Sequence, residues 1–389
     1  MSRVSAARQE WFLLVACLAA AAVSCSGSGE KQQILARADT LLIQERYPDA
    51  VNESRRALQM DEDDPRANRQ LGLAYLELGE LTQAYHFLLK ARALEPNDVS
   101  VRLALGLIYS IEGELDQVRE QADRAIQLDS TNVPAALLVS GAARTADEVD
   151  QAIQKLQAVA PRAGSDVRPK LALGVLYLRK RDTASAGKLF REAASNDPKS
   201  IEARATLVAF ASPSRGAAAE QRETAATPPS SSGSNESVKA SKFFLLLEQR
   251  ADAERALRQT LDSEPNHVPA RRLLAELTLV DGAVDQALNL VTPILAKDSG
   301  DVDALVQRGR ARLASGQTDS ATRDFERAFH AAPGLAPIHY QLAAAHIRRA
   351  NQTGAKTQRD SALTRARSEL VEATKLAKDY PEAVLQLAE

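Results

Sequence analysis

The sequence predicts an all-α chain, an α-solenoid of helix-turn-helix repeats in two arrays, and three observations predict it. Ala and Leu, the strongest helix formers, carry most of the apolar content, while aromatic residues that suit strands make up only 4% of the 389 residues. Apolar residues recur at three- and four-residue spacing, which is the stripe of an amphipathic helix. Small residues recur with one constant stride: Gly72, Gly106, Ser140 and Gly174 stand 34 apart, as stacked helical repeats require.

Residues 1–24 read as an export signal. Arg3 and Arg8 precede an apolar run from Trp11 to Val23, well short of the roughly 20 residues a membrane-spanning helix needs. Small residues follow it, as in a secretory signal. Ala22-Val23-Ser24-Cys25 resembles the lipobox of bacterial lipoproteins, in which signal removal leaves the cysteine as a new N-terminus carrying a thioether-linked lipid. That resemblance makes Cys25 the lipidation candidate and residues 25–30, rich in Ser and Gly, its tether. Leu14-Val15-Ala16-Cys17 fits the same pattern. Cleavage there leaves about six apolar residues upstream, fewer than the roughly 7–15 of a signal core, so Cys25 is preferred. The remaining alternative is an ordinary secretory signal with an incidental cysteine. Ser26, behind Cys25, is the residue type that this resemblance associates with the outer membrane, facing the periplasm.

The first array covers residues 31–210. Leu71-Gly72-Leu73-Ala74-Tyr75, Leu105-Gly106-Leu107-Ile108-Tyr109 and Leu173-Gly174-Val175-Leu176-Tyr177 are variants of one pentad, and Ala50, Ala84, Val118, Ala152 and Ala186 keep step with them. Units start at Lys31, Pro65, Val99, Val133 and Val167. A second array, residues 238–389, holds the same stride in a shifted frame, with units near Ser234, Val268, Val302 and Ala336 and with Ala253, Ala287 and Ala321 in register. Gly79, Gly113, Gly282 and Gly316 fall between the two helices of their units, where a left-handed residue stops the first helix.

The pattern resembles the tetratricopeptide repeat (TPR) family. The resemblance implies two antiparallel helices per unit and a right-handed superhelix whose first helices line a concave groove. The sequence departs from the family at the fourth position, usually aromatic, where Asn68, Arg102, Ala136 and Lys170 stand. The unit from Val133 is degraded around Pro161 to Gly164, and the last unit carries about eleven extra residues around Gln352 to Ala362, expected to form a loop.

Between the arrays, residues 211–237 contain no Leu, Ile, Val or Phe but do contain Pro213, Pro228, Pro229 and a Ser-rich run. Such a composition buries too little apolar surface to offset ordering, so a disordered linker is expected.

Reactive chemistry is not legible. A net charge of −2 removes the electrostatic footprint of a nucleic-acid binder. The five histidines form no H-E-x-x-H and have no cysteine near them, and no phosphate loop or nucleophile elbow occurs. No cofactor, metal or small-molecule substrate is therefore expected, and the chain is read as a non-enzyme with no catalytic residue. Asp61-Glu62-Asp63-Asp64 lacks calcium-loop spacing and sits before a helix start, where carboxylates favour the dipole. From Arg348 to Lys378 eight Lys or Arg face three acids, a solvated helix face or a surface for anionic groups.

The groove is the candidate site. Positions that face it in TPR proteins hold Leu73, Leu76, Leu103, Leu107, Ile111, Leu171, Val175 and Leu178 in the first array. In the second they hold Arg272, Glu276, Arg310 and Arg348. An apolar helix or extended segment is expected in the first groove and a polar partner in the second, unless the leucines are core. The ninth positions carry no Asn, which argues against the carboxylate clamp of chaperone-binding TPR modules. The expected role is a lipid-anchored scaffold that binds envelope proteins or peptides, in assembly or export of surface protein or polysaccharide. The alternative is an accessory subunit regulating an envelope enzyme.

Overall fold

The structure, a computed structural model, describes residues 29–211, 233–378 and 380–388, and among them every long element is an α-helix. The first array comprises α1 (29–43), α2 (Tyr47–Met60), α3 (Pro65–Glu77), α4 (Leu81–Leu94), α5 (Val99–Glu112), α6 (Leu115–Leu128), α7 (Val133–Ala142), α8 (Ala146–Val159), α9 (Arg168–Arg179), α10 (Thr183–Asn196) and α11 (Ile201–Ala211). The second comprises α12 (Gly233–Leu246), α13 (Arg250–Ser263), α14 (Val268–Val280), α15 (Val284–Lys297), α16 (Val302–Ala314), α17 (Thr318–Ala331), α18 (Ala336–Gln352), α19 (Lys356–Leu376) and α20 (Pro381–Ala388). Successive helices pack on one another throughout each array.

Helix starts and stops follow from particular side chains. Asp64, Asp98, Asn132 and Asp301 each cap a first helix by accepting the N–H three residues on, at 2.9, 3.1, 3.0 and 2.9 Å. The acidic run before Pro65 is thus a cap at a unit junction. Gly79, Gly113, Gly282 and Gly316 take φ between +71° and +79°, ending first helices in the conformation that glycine adopts without strain.

The stride of small residues has a packing cause. A Cβ on Gly72 would stand 2.6 Å from Leu88 Cγ, one on Gly174 2.2 Å from Phe190 Cε1, and one on Gly309 2.3 Å from Phe325 Cε1. Leu88, Phe190 and Phe325 come from the second helix of the same pair and are fully buried. Each crossing therefore seats a large side chain over a missing one, which is how two backbones come close enough to share a core.

Two expectations need correction. The stretch 211–237 is not wholly without order: Ala211 closes α11, and Gly233 to Ser237 form the first turns of α12, while residues 212–232 lie outside the described residues. Polar contacts hold that start. Asn235 Oδ1 lies 3.1 Å from His267 Nε2, and Lys239 donates to Glu236 at 3.0 Å and to Glu45 at 2.6 Å. The eleven extra residues of the last unit are not a loop either. They lengthen both helices, α18 to 17 residues and α19 to 21, against 13 and 14 in α16 and α17. The segment Lys356 to Ala362 is rich in helix formers with one buried position, Ala362, facing its partner. Residues 1–24 and Cys25 lie outside the described residues.

Gly174→Ala places a methyl inside the Phe190 ring and is expected to lower unfolding free energy by about 1–3 kcal/mol. Equilibrium urea unfolding checks this. A neutral result means that the ring has room to move and the crossing is not tight.

Candidate partner groove

The eight apolar positions expected to face a partner are covered. None is exposed: Ile111 and Leu171 are fully buried, Leu76 and Val175 nearly so, and Leu73, Leu103, Leu107 and Leu178 are half-buried against the same core. That core is continuous across both arrays, joining Leu105 and Tyr109 with Phe243, Phe244, Leu273, Leu277 and Tyr380. The occupant of the groove is the second array itself. Its first helix α12 lies against α5 and α7, α14 lies against α5, and α16 and α18 rest on α4.

One set of polar contacts between the arrays is made at helix ends. The last carbonyls of a helix have no intrahelical partner and carry the negative end of its dipole. At the end of α3, Lys242 Nζ donates to Leu76 O at 3.1 Å and to Glu77 at 2.8 Å, and Arg272 Nη1 donates to Leu78 O at 3.1 Å. At the end of α5, Arg250 Nη1 donates to Ile111 O at 3.2 Å while its Nη2 donates to Leu277 O at 2.7 Å. At the end of α7, Arg179 donates to Ser140 O and Ala143 O and reaches Leu247 O at 3.1 Å.

Helix starts across the same seam receive the opposite treatment. Glu80 precedes α4 without capping it, and Asp303 supplies the missing acceptor, taking the Thr82 N–H at 2.7 Å. Leu335 precedes α18 and cannot cap it, and His86 Nδ1 accepts the Ala336 N–H at 3.3 Å. Each array thus caps a helix of the other.

Of the second array's expected polar groove residues, Arg272 takes part in this closure, while Glu276 and Arg310 are held within their own array. Arg272 pairs with Asp301 and with Glu80 at 3.1 Å. Arg310 pairs with Glu276 at 2.6 Å, and Gln307 donates to Glu276 at 3.3 Å. Of that set only Arg348 is exposed. At Gly141 the fit is closest, since a Cβ there would stand 1.8 Å from the Leu246 carbonyl oxygen at the end of α12.

Lys242, Arg250, Asp303 and His86 escaped the sequence reading. One signal was present: Lys242, Glu276 and Arg310 are charged at positions that hold Leu73, Leu107 and Val175 in the first array, and charges placed there need ionic partners. His339 and His346, two turns apart on α18, make no common site: His339 Nδ1 lies 2.7 Å from Glu369 Oε2 and its Nε2 lies 3.3 Å from Pro333 O. Among the described residues no group of three or more His, Cys, Asp or Glu is placed to hold a metal ion. No helix among them is long and apolar enough to cross a membrane.

Two sequence-family models, both described as tetratricopeptide repeat, match the chain, one at residues 41–108 and 244–313 and the other at 135–201, together more than half of it. A comparison with curated proteins gives no match. Among solved structures the chain is similar to yeast Tom70, 14% identical over 93% of this chain and 88% of that one, with a TM-score of 0.33. It is also similar to a thermophilic TPR protein of Thermus thermophilus, 21% identical over 46% and 98%, TM-score 0.39. A third is Pseudomonas aeruginosa pilF, 20% identical over 56% and 98%, TM-score 0.36.

Closure buries ionisable groups, and this makes it sensitive to pH. Burial, reinforced by the neighbouring Glu80 carboxylate and opposed by Arg272, pushes Asp303 up to about 7. Burial likewise pushes Glu112 up to about 8, with Arg310 opposing and Glu276 adding. For an acid whose folded pKa is raised, the unfolded chain gives up its proton first, so stability is present at low pH and is lost as pH rises. For Asp303 that window runs from its ordinary value of 3.8 to about 7. His86, depressed to about 3 by burial and Lys90, acts oppositely and lowers stability below its ordinary 6.5. Melting temperature is therefore expected to fall between pH 6 and 8. In Asp303→Asn, whose amide oxygen still accepts the Thr82 N–H, the fall should be shallower. Parallel thermal melts check this, and an unchanged slope in the variant contradicts it.

Proposed function

Because this chain belongs to the tetratricopeptide repeat family, we propose that it is a protein-binding scaffold of the bacterial cell envelope, anchored by a lipid on Cys25, whose first groove is held closed by its own second array. The observation that carries this reading is the identity of the occupant. Helix α5, which carries Leu103, Leu107 and Ile111, is met by α12, whose buried Phe243 and Phe244, with Leu247 just beyond its end, belong to the same core. A groove that accepts such a helix in cis is suited to a partner helix of the same character in trans.

Closure sets the terms of capture. A partner reaches the first groove only by displacing α12 and the cations that end α3 and α5, so its affinity is lowered by the fraction of molecules that are closed. The anchor offsets part of this by holding scaffold and partner at one surface, where their effective concentration is high. Mature lipoproteins carry several acyl chains, and more than one is needed for firm attachment. Assembly or export of surface protein or polysaccharide fits such a device, since its clients pass the membrane that holds it.

The test uses the tightest contact. Gly141→Ala forces the Leu246 carbonyl away and is expected to increase the radius of gyration by small-angle scattering while far-ultraviolet helicity stays constant. In pull-downs from detergent-solubilised envelopes this variant should enrich a partner relative to wild type, and adding Leu107→Asp should abolish that enrichment. Equal capture by all three chains contradicts a groove-borne function. For the anchor, metabolic labelling with a fatty-acid probe should disappear in Cys25→Ser, and undiminished labelling rejects that residue.

A further inference from the structure

We propose that the cleft between α18 and α19 is a binding site for a phosphate-type oxyanion. The two helices project past their neighbours because the last unit is longer. The four extra residues of α18 and seven of α19, relative to α16 and α17, add about 6 and 10 Å. In the crotch of this extension lies a cleft of about 330 Å³. His346 and Arg349 line it from α18, and Thr357, Ser361 and Arg365 from α19.

Three independent features give the cleft one electrostatic sign. Arg365 has no carboxylate partner among the described residues, and Arg349 pairs at 2.7 Å with Asp319, an acid that is 79% exposed and free to swing away. The 21-residue helix α19 begins at Lys356 with no side-chain cap, because Ala355 precedes it, so its first N–H groups point outward at the positive end of the dipole. Thr357 lies in that first turn, and Ser361 and Arg365 follow at four-residue steps on the same helix face.

A fourth feature is the ring on the wall of the cleft. His346 is 8% exposed and lines the cleft, and its Nδ1, turned away from solvent, has no hydrogen-bond partner, so a ligand engages that nitrogen only if the ring turns. A buried ring nitrogen without a partner is unfavourable and is uncommon in folded proteins. Carboxylates nearby do not satisfy it: Glu369 is taken by His339, and Glu326 acts on it only through space. Burial and the adjacent Arg349 and Arg365 charges keep the imidazole below its ordinary pKa, so at neutral pH it is uncharged and each nitrogen keeps a distinct role.

Guanidinium forks and hydroxyls lining one volume beside an uncapped helix start match a tetrahedral oxyanion better than a planar or apolar group. The cleft is larger than a bare phosphate and lies in the range of small-ligand sites, so the phosphate is expected to carry an organic group. A free phosphate monoester and a phospholipid head group share this chemistry.

Titration calorimetry of the full chain with inorganic phosphate and with glycerol 3-phosphate tests the site. Flotation with vesicles of phosphatidylglycerol in phosphatidylcholine, in a Cys25→Ser background that removes any lipid on that residue, tests the membrane source. Saturable binding of either probe that weakens at least tenfold in Arg365→Gln, with a phosphate-dependent shift of the His346 imidazole resonance, supports the proposal. Flotation without binding of free phosphate, lost in Arg365→Gln, assigns the same site to a lipid head group. Absence of binding by all probes overturns it, as does binding that neither Arg365→Gln nor His346→Asn alters. Arg365 is exposed and His346 is buried, so unchanged circular dichroism and melting of each variant separate lost binding from lost fold.

Discussion

Helix ends that are taken out of water must find partners, and in this chain several of the partners come from the opposite array. The carbonyl ends of α3 and α5 would face solvent in an open superhelix. Here they meet Lys242, Arg272 and Arg250, while Asp303 and His86 close the starts of α4 and α18. These groups are mostly buried, so each is tolerated only while its counterpart is present. Removing one side of such a contact strands the other in a medium that disfavours it. The apolar core supplies attraction without direction, and the capping contacts select the register in which the two arrays meet.

This arrangement changes what a TPR groove means in the present chain. In a scaffold with an open concave face, affinity for a segment is set by the face alone. Here it is set by the difference between what the segment gains and what α12, α14, α16 and α18 give up. Buried charge makes that balance responsive to conditions that leave the individual repeats intact. Repeat stacking depends on Gly72, Gly174 and Gly309 and on buried leucines and phenylalanines, none of which titrates. Closure depends in part on Asp303, Glu112 and His86, which do.

Local features were legible in the sequence because they have local causes. The glycines between paired helices needed a left-handed conformation, and their φ angles have it. Asp64 and Asp98 preceded helices and cap them. Of the small residues at stride 34, Gly72, Gly106 and Gly174 lie at helix crossings, under Leu88, Leu138 and Phe190. Closure was not legible, because Thr82 and Asp303 lie 221 residues apart and His86 and Ala336 lie 250 apart. A periodic pattern reports which face is apolar and not what covers it. Arg272, Glu276 and Arg310 looked like ligands for an external partner for that reason. The helical form of the last unit's extension was also missed, since an insertion in a repeat defaults to a loop unless its own residues favour helix, as Lys356 to Ala362 do.

Closure of one array upon the other is most directly tested at the amides that the seam protects. The Thr82 and Ala336 N–H groups belong to first helical turns, which in an isolated array exchange quickly with solvent. In the closed molecule each is bonded across the seam. Hydrogen–deuterium exchange resolved to single residues should show both amides protected at least as well as those in the middle of α4 and α18. Rapid exchange at Thr82 and Ala336, at the rate of the uncapped first turn of α19, would mean that the arrays do not hold each other.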